Sequence, residues 1–295
     1  MGGECVVRCL GSVRTLKITS WNCFGAAQTP RAFVLREGAP EPHRFRHPDV
    51  ASVLAASDVV CLQELWVRDA VDLFERLPHP HKATDDNRTE WWPLTIGGSG
   101  LGVASKLPVK SRRVGAFSRP HAGAERFARK GMLHVHLDAG APVHVVSTHF
   151  QSGTSASARR VRARHARELG ALIASIGEDD AVIVCGDFNV DGRRPVRHDE
   201  YAVLVRALPG FVDLGADGDV ETYHPHPVHN ALAHRFDRQA WPQRIDYVFF
   251  RPPARGGVSV AGFGRALDAL LTPFDGGPAV HPSDHFALWV ELAIA

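Results

Sequence analysis

Polar side chains that bind metals or move protons stand at the ends of short apolar segments along this sequence. The apolar segments have the length and composition of buried strands, and any one such polar residue fits ordinary turn chemistry. The set comprises Asn22, Gln63, Glu64, His149, Asp187, Asn189, Asp246, Asp284 and His285. Because strand ends on one edge of a packed sheet converge in space, we expect these side chains to share one pocket.

The residue types in this set indicate a divalent-metal site. Carboxylate and amide oxygens are hard ligands that suit Mg²⁺, Mn²⁺ or Ca²⁺, and imidazoles beside such an ion can move protons at neutral pH. No cysteine or serine has a visible triad partner, and the glycine-rich segment 97–102 matches neither of the usual nucleotide-phosphate loops. The simplest reaction for the set is metal-assisted attack of water on a phosphoester.

The elements that must position these residues alternate between strand-like and helix-like segments. Strands are predicted at 16–22, 58–62, 101–105, 109–117, 132–137, 143–147, 181–185, 245–250, 258–263 and 286–292. Helices are predicted at 67–77, 155–176 and 201–208, and the main loops at 25–48, 78–93, 118–130, 191–198 and 215–244. This order predicts an α/β fold with two sheets packed face to face and flanked by helices, in one domain over 1–295.

Composition excludes several classes of protein. The 295 residues carry 34 Lys+Arg against 32 Asp+Glu, and they are 44% hydrophobic and 22% charged, as in a soluble globular domain. No apolar run reaches the length of about 18 residues that a membrane-spanning helix needs, and no signal-peptide pattern is visible. We therefore expect a cytoplasmic protein whose five cysteines include buried free thiols. The small net charge argues against indiscriminate binding to polyanions.

Seven segments then carry a resemblance to a known family. ITSWNCFG, VVCLQELW, SGLGVASKLPV, STHFQSG, VIVCGDFNVD, RIDYVFF and SDHFALWVEL occur in this order. Together they resemble the motifs of the endonuclease/exonuclease/phosphatase (DNase I-like) superfamily over residues 14–293. GDFN with a downstream SDH is a specific combination, and the upstream QE makes it more so. The resemblance implies a four-layered α/β sandwich of two mixed β-sheets with helices outside, which agrees with the order of elements.

The resemblance also implies a role for the residues on the metal side. Glu64 matches the metal-binding glutamate of the family. Asn22 matches the asparagine of the first strand, which helps to hold both metal and phosphate. Asp284 is expected to be a metal ligand or to stand directly beside the ligands. The implied cofactor is Mg²⁺, with Mn²⁺ as an alternative.

The remaining motif residues match the catalytic positions of the family. Asp187 of GDFN is expected to position the nucleophilic water or the leaving group, and Asn189 to donate to a phosphoryl oxygen. His285 matches the histidine of SDH, a general base or phosphate ligand, and Asp246 is expected to orient its imidazole. Whether Asp187 or His285 takes the proton from water stays open at this point.

Three further segments are similar to those of neutral and bacterial sphingomyelinases. The STHFQ segment places His149 where the histidine of those enzymes contacts phosphate and protonates the leaving alkoxide. RKGML contains Lys130, and the segment ahead of RIDYVFF contains Asn230, so both residues are expected to contact phosphate or headgroup. The implied activity is a phosphodiesterase that cleaves sphingomyelin or a related phospholipid by a phospholipase C route, giving ceramide and phosphocholine.

A lipid substrate requires a surface that contacts a bilayer. The adjacent Trp91 and Trp92, together with Trp241 and Phe274, occupy loops and suit a membrane interface, although packing on the core is the simpler interpretation. The arginine-rich stretch 159–167 could contact anionic lipid or nucleic acid, and a solvated helix face is its simpler interpretation. We expect peripheral contact with a phospholipid surface and infer no protein partner.

Other functions stay open beside the lipid phosphodiesterase. The same core suits a nuclease acting on DNA or RNA, or a phosphatase acting on inositol or other small phosphoesters; a nuclease should add a continuous basic groove. A binding module that has lost activity would lack a core residue, and none of the motif residues is missing. H-x-H pairs such as His134 with His136, and His224 with His226, are common by chance and do not by themselves indicate a second metal.

Overall fold

Two six-stranded sheets form the centre of the protein, as seen in a computed structural model. The described residues are 14–25, 39–85, 98–122, 125, 129–193, 199–218, 220–238 and 241–295. Trp91 and Trp92, the paired aromatics of the predicted membrane contact, lie outside these residues, as do Cys5 and Cys9.

The first sheet contains β1 (Arg14–Asn22), β2 (Val59–Gln63), β3 (His81–Thr84), β4 (Gly102–Ser105), β11 (Val258–Ala266) and β12 (Ala287–Ile294). The second contains β5 (Val109–Ala116), β6 (Gly131–Asp138), β7 (Pro142–His149), β8 (Ala181–Asp187), β9 (Val212–Asp213) and β10 (Asp246–Arg251). Their orders are β11-β12-β1-β2-β4-β3 and β5-β6-β7-β8-β10-β9. Each sheet has one parallel pair at its centre, β1 with β2 and β7 with β8, and antiparallel pairs around it.

The helices are α1 (Pro48–Ala55), α2 (Arg68–Arg76), α3 (Ala156–Ile173), α4 (Glu200–Ala207) and α5 (Ala231–Phe236), and a 3₁₀ turn covers Pro42–Arg46. α1 and α2 pack on the outer face of the first sheet, and α3 and α4 pack on the outer face of the second. The predicted four-layered sandwich is confirmed. Because both faces of each sheet are covered, the central strands β2 and β8 are nearly continuous apolar runs, VVCL and AVIVC.

The core between the sheets is built from the inward side chains of both. Ile18 and Val59 of the first sheet join Val145 and Ile183 of the second in one buried cluster. Burial of such side chains contributes roughly 25 cal/mol per Å² of apolar surface removed from water, so this layer supplies the main driving force that holds the sheets together. It fixes their relative position and therefore the alignment of their strand ends.

The strand and helix predictions are confirmed within a few residues at each end, and the structure adds elements that periodicity did not indicate. β3 lies inside the predicted loop 78–93, and α5 lies inside the predicted loop 215–244. β3 has only four residues and exists through its pairing with β4. α5 has six residues, and the Asn230 side chain caps it by accepting a hydrogen bond from Ala233 N.

The arginine-rich helix α3 is less solvated than its sequence suggested. Its apolar stripe packs on the second sheet as predicted, but Arg162 is also buried and pairs with Glu200 at 3.0 Å. Arg164 donates to the carbonyl oxygens of Ser118 and Pro120. These two arginines therefore hold neighbouring segments in place.

No helix in the described ranges is long and apolar enough to cross a bilayer. Cys23, Cys61 and Cys185 are buried free thiols, as expected.

A pair of buried histidines lies behind the second sheet. His165 of α3 stacks on Phe117 with ring centroids 4.0 Å apart, and His121 meets it edge-on at 5.3 Å. No ring nitrogen of either histidine has a hydrogen-bond partner among the described residues. Burial, followed by the nearby His121, lowers the pKa of His165 from 6.5 to about 2.

We expect this histidine to make the protein sensitive to acid. Below pH 6.5 the unfolded chain binds a proton at His165 and the folded chain does not, so the free energy of unfolding falls by up to about 1.4 kcal/mol per pH unit. His165→Leu should remove this slope between pH 6 and pH 4 in urea denaturation. Phe117→Leu, which disturbs the same packing without removing a titratable group, should keep it; equal slopes for wild type and His165→Leu would contradict the assignment.

Candidate active site and metal centre

The sheet registers bring the predicted site residues to one edge of the sandwich. Asn22 pairs with Gln63 at the carboxyl ends of parallel β1 and β2. His149 pairs with Asp187 at the carboxyl ends of parallel β7 and β8. The antiparallel strands bring their starts to the same edge: Asp246 pairs with Asp187, and Asp284 and His285 directly precede β12. The expected convergence of strand ends is what the structure shows.

Asp246 and His285 form a buried carboxylate–imidazole pair. His285 Nδ1 donates to Asp246 Oδ2 at 2.8 Å, and Asp246 N and Ile245 N both donate to Thr222 Oγ1. Burial alone would lower the pKa of His285, but the surrounding carboxylates, Asp246 foremost, raise it well above its usual value. The pair therefore orients the imidazole with Nε2 facing Asp187, 3.9 Å away.

Asp187 is the central carboxylate of the site. Its Oδ1 accepts from Asn189 N at 2.9 Å, and its Oδ2 accepts from Asn22 Nδ2 at 3.1 Å. His149 Nε2 lies 3.3 Å from the same Oδ2. Although burial would raise it, the imidazoles of His285 and His149 hold the pKa of Asp187 well below its usual range. Asp187 is thus ionised and fixed on both oxygens.

Glu64 carries the oxygen that best fits a metal ion. Its Oε1 accepts from Asn22 Nδ2 at 3.3 Å, whereas its Oε2 is buried without a hydrogen-bond partner among the described residues. A buried carboxylate oxygen with no partner is costly, and a divalent cation would satisfy it. Glu64 is therefore the side chain that best fits a Mg²⁺-type ion. Asn22 contacts Glu64 through Nδ2, and its Oδ1 accepts from Phe24 N at 3.0 Å.

A different trio is clustered but fits a metal less well. Ligand atoms of Asp187, Asp246 and His285 all lie within 4.8 Å of one another. His285 Nδ1 already donates to Asp246, however, so this trio is better described as a carboxylate–imidazole pair that faces a second carboxylate. Asp284 completes the acidic side: burial, then the nearby Glu64, raises its pKa to about 7. A cation close to Asp284 would favour its ionised form.

Backbone conformations at the site are unusual. Phe24, Glu64 and Asn189 adopt left-handed φ angles of 51°, 65° and 53°. Non-glycine residues rarely take this conformation, and such residues concentrate at functional sites where the surroundings enforce it. Each directly follows, or lies within two residues of, the end of β1, β2 or β8. The turns therefore direct the side chains of these strand ends into the pocket.

His149 and Lys130 lie beside these carboxylates, with His149 Nε2 4.0 Å from Glu64 Oε1. Lys130 is fully buried, and its Nζ lies 2.7 Å from His149 Nε2 and 2.8 Å from Glu125 Oε1. An ammonium group can only donate, so His149 Nε2 accepts this hydrogen bond. The His149 ring also stacks on Trp66 at 5.9 Å. Lys130 thus supports His149 directly. The sequence placed Lys130 near the phosphate but did not indicate this contact.

Asn189 and Asn230 are engaged within the protein. Asn189 Nδ2 donates to Phe150 O at 3.3 Å. Asn230 Nδ2 donates to Ser283 O at 2.8 Å while its Oδ1 caps α5. Asn230 therefore holds the turn before Asp284, and its predicted contact with substrate stays a prediction.

Sequence reasoning missed four residues of the site. Thr222 supports Asp246, and Tyr223 packs on His285 with ring centroids 5.3 Å apart. Glu125, which is half-buried, pairs with Lys130, and Arg44 is buried beside the pocket. None follows a predicted strand. The segment ETYH ahead of RIDYVFF was a signal for Thr222 and Tyr223, but nothing in the sequence separated Arg44 from other arginines.

The fold and this site define the class of the protein. The profile of the Endonuclease/Exonuclease/phosphatase family matches residues 19–285, and the chain belongs to that family. The clustered carboxylates, amides and imidazoles form a site that suits a divalent metal ion.

Three relatives are similar to it. Sphingomyelinase C 2 of Leptospira interrogans is 25% identical over 257 residues, 79% of this chain, but the chain spans only 40% of that protein. The beta toxin of Staphylococcus aureus shares the fold, with a TM-score of 0.72 at 22% identity, covering 93% of this chain and 99% of the toxin chain. Another structure of that toxin holds bound magnesium ions. TDP2 of D. rerio, complexed with a single-strand DNA product, gives a TM-score of 0.68 at 19% identity, covering 94% and 98% of the two chains.

We expect Glu64→Gln to weaken Mg²⁺ binding by more than about 100-fold, because loss of a partner beyond the direct ligands already costs about 10–100-fold. The substitution removes one of several buried negative charges, so the thermal midpoint should not fall. Isothermal titration with Mg²⁺ checks the affinity. Glu75→Gln, which changes an exposed glutamate paired with Lys82, is the control. Wild-type affinity in Glu64→Gln would contradict the assignment of this ligand.

Proposed function

We propose that this protein is a Mg²⁺-dependent phosphodiesterase that hydrolyses sphingomyelin or a related phospholipid and releases phosphocholine and ceramide. The observation that carries the proposal is that two imidazoles, His149 and His285, face the same oxygen of Asp187 at 3.3 Å and 3.9 Å. Phosphodiester hydrolysis needs one group that takes a proton from water and another that returns a proton to the leaving oxygen. This arrangement supplies both beside one metal-side carboxylate cluster.

The His285 side of the pocket suits activation of water. Asp187 Oδ2 and His285 Nε2 face each other 3.9 Å apart, and this pair takes the proton of the attacking water. Asp246 holds the imidazole in place and stabilises its charged form. Glu64, to which the Asn22 amide donates, would hold the metal ion, which supplies charge neutralisation at the phosphoryl oxygens when bound.

The His149 side suits protonation of the leaving alkoxide. Lys130 donates to His149 Nε2 and is itself paired with Glu125, so Lys130 and His149 hold a proton between them beside Asp187. The likeness of the STHFQ segment to sphingomyelinases supports the same role. A ceramide alkoxide is a poor leaving group, so this proton is expected to matter strongly for a lipid substrate.

Exposed apolar side chains support contact with a lipid surface. Val228, Phe236 and Trp241, all in the segment that follows Tyr223, are 78%, 42% and 48% exposed. Aromatic groups with a polar edge suit the interface of a bilayer. Phe274, by contrast, packs edge-on against His47 at 5.2 Å. We propose a cytoplasmic protein that contacts phospholipid membranes peripherally through the segment 224–241.

Purified protein with Mg²⁺ should release phosphocholine from sphingomyelin vesicles, and EDTA should stop the release. His285→Ala should lower kcat by about 10²–10⁴, the usual contribution of a positioned acid or base. Enzymatic detection of free phosphocholine measures both. His281→Ala is the matched control. His281 is also a buried histidine of the segment before β12, but its ring accepts a hydrogen bond from Ala231 N and does not face Asp187.

The same preparation decides between substrate classes. Nicking of supercoiled DNA without phosphocholine release would identify a nuclease, in line with the likeness to TDP2. Release of inorganic phosphate from inositol phosphates would identify a phosphatase. Either result would refute the proposed lipid substrate but would leave the proposed metal-dependent hydrolysis of a phosphoester standing.

The proton donor can be tested through the leaving group. We expect His149→Asn and Lys130→Met to lower kcat for sphingomyelin by about 10²–10⁴. A phosphocholine ester of 4-nitrophenol needs little protonation of its leaving group, so the loss should shrink at least tenfold for that ester. Absorbance of 4-nitrophenolate measures the reaction, and Lys110→Met, a change at an exposed lysine of β5, is the control. Equal losses with both esters would exclude the proton-donor role.

A further inference from the structure

Arg44 lies fully buried beside the metal side of the pocket, although no motif contains it. It sits in the 3₁₀ turn Pro42–Arg46, and its exposed fraction is 0%. Burial lowers its pKa to about 10, so the guanidinium stays charged at neutral pH. A buried charge is costly unless it is well hydrogen-bonded, so the partners of Arg44 show what the residue does.

All four hydrogen bonds of the guanidinium end on backbone carbonyl oxygens. Nη1 donates to Cys23 O at 2.7 Å and to Pro282 O, Nη2 donates to Phe24 O at 2.6 Å, and Nε donates to Pro40 O at 2.9 Å. The acceptors belong to three separate segments of the chain. A planar fork with five donors can reach all of them at once, whereas a lysine ammonium has three donors around one atom.

Two of these segments carry site residues. Phe24 has a left-handed φ of 51°, and its N donates to Asn22 Oδ1 at 3.0 Å, which turns Asn22 Nδ2 towards Glu64 and Asp187. Because Arg44 fixes the Phe24 carbonyl, it also fixes the orientation of the Asn22 side-chain amide.

The other segment leads to Asp284. Pro282 precedes Ser283, whose Oγ donates to Asn22 O at 2.7 Å and accepts from His285 N at 3.2 Å. The guanidinium and the Ser283 hydroxyl thus cross-link the turn after β1 to the turn before β12. The charge of Arg44 also faces Asp284 and Glu64 through space.

We propose that Arg44 is a positioning residue: its guanidinium ties the turn that orients Asn22 to the turn that carries Asp284 and His285, and so shapes the metal side of the pocket before an ion binds. The inference rests on the proposed metal site, but it needs no particular substrate. It assigns Arg44 a role through backbone carbonyls, without contact to the reacting atoms.

Arg44→Lys and Arg46→Lys form a matched pair within one five-residue turn. Arg46 is exposed and pairs with Asp275, so Arg46→Lys should behave as wild type. Arg44→Lys keeps the positive charge but removes the planar guanidinium that reaches the carbonyl oxygens of all three segments. We expect a loss of Mg²⁺ affinity of about 10–100-fold by isothermal titration, the range seen when residues that orient metal ligands are removed. With saturating Mg²⁺, KM for sphingomyelin should change little while kcat falls.

Rescue by guanidinium separates positioning from a general loss of stability. Arg44→Ala should regain Mg²⁺ affinity in about 10 mM guanidinium, far below the molar concentrations that unfold proteins, and urea at the same concentration should not restore it. If Arg44→Lys fails to fold, the guanidinium rescue of Arg44→Ala alone tests the positioning role. Arg44→Ala that stays unfolded, or that folds without rescue, would overturn the proposal, as would wild-type Mg²⁺ affinity in Arg44→Lys.

Failure of the proposed function gives a different pattern. Wild-type protein that binds no Mg²⁺ would refute the metal site itself. Wild-type protein that binds Mg²⁺ but releases no phosphocholine would refute only the substrate, and the Mg²⁺ affinities of the Arg44 variants would still test the positioning role.

Discussion

Burial of four carboxylates at one edge of the sandwich is the constraint on which the site depends. Glu64, Asp187, Asp246 and Asp284 are all largely removed from water, and buried charges of one sign are tolerated only where opposite charges and hydrogen bonds face them. His285, Lys130 and Arg44 are the buried cations around them, and backbone amides and Asn22 supply further donors. Within the part of the chain that the structure describes, Oε2 of Glu64 is a buried carboxylate oxygen without a hydrogen-bond partner. That imbalance is what makes the pocket suited to a divalent cation.

The sandwich meets this constraint by bringing strand ends together. Two parallel pairs, one in each sheet, end at the same edge, and antiparallel neighbours begin there. The apolar layer between the sheets sets their alignment, and left-handed turns direct the polar side chains into the pocket. The free energy of apolar packing between the sheets thereby offsets the repulsion between the carboxylates that these strand ends bring together.

Two groups of residues meet at Asp187. His149, supported by Lys130, lies 3.3 Å from Asp187 Oδ2 and 4.0 Å from Glu64 Oε1. Asn22 contacts the same Asp187 oxygen, and Arg44 and Ser283 tie the turn that follows Asn22 to the turn that carries Asp284 and His285. In the proposed function, this shared core would carry out phosphoester hydrolysis, and the surface around it, where Phe236 and Trp241 are exposed, would select the substrate.

Most strands, the long helix α3 and the residues of the pocket were predictable from the sequence, because apolar periodicity marks buried elements and polar residues end them. The pairing of His149 with Lys130 and the roles of Arg44 and Thr222 were decided only by the tertiary structure. Arg44 contacts Pro282 across 238 positions of sequence, and its acceptors are backbone carbonyls that every residue possesses. Short elements such as β3 and α5 likewise escaped prediction, since pairing and capping, rather than a local pattern, produce them.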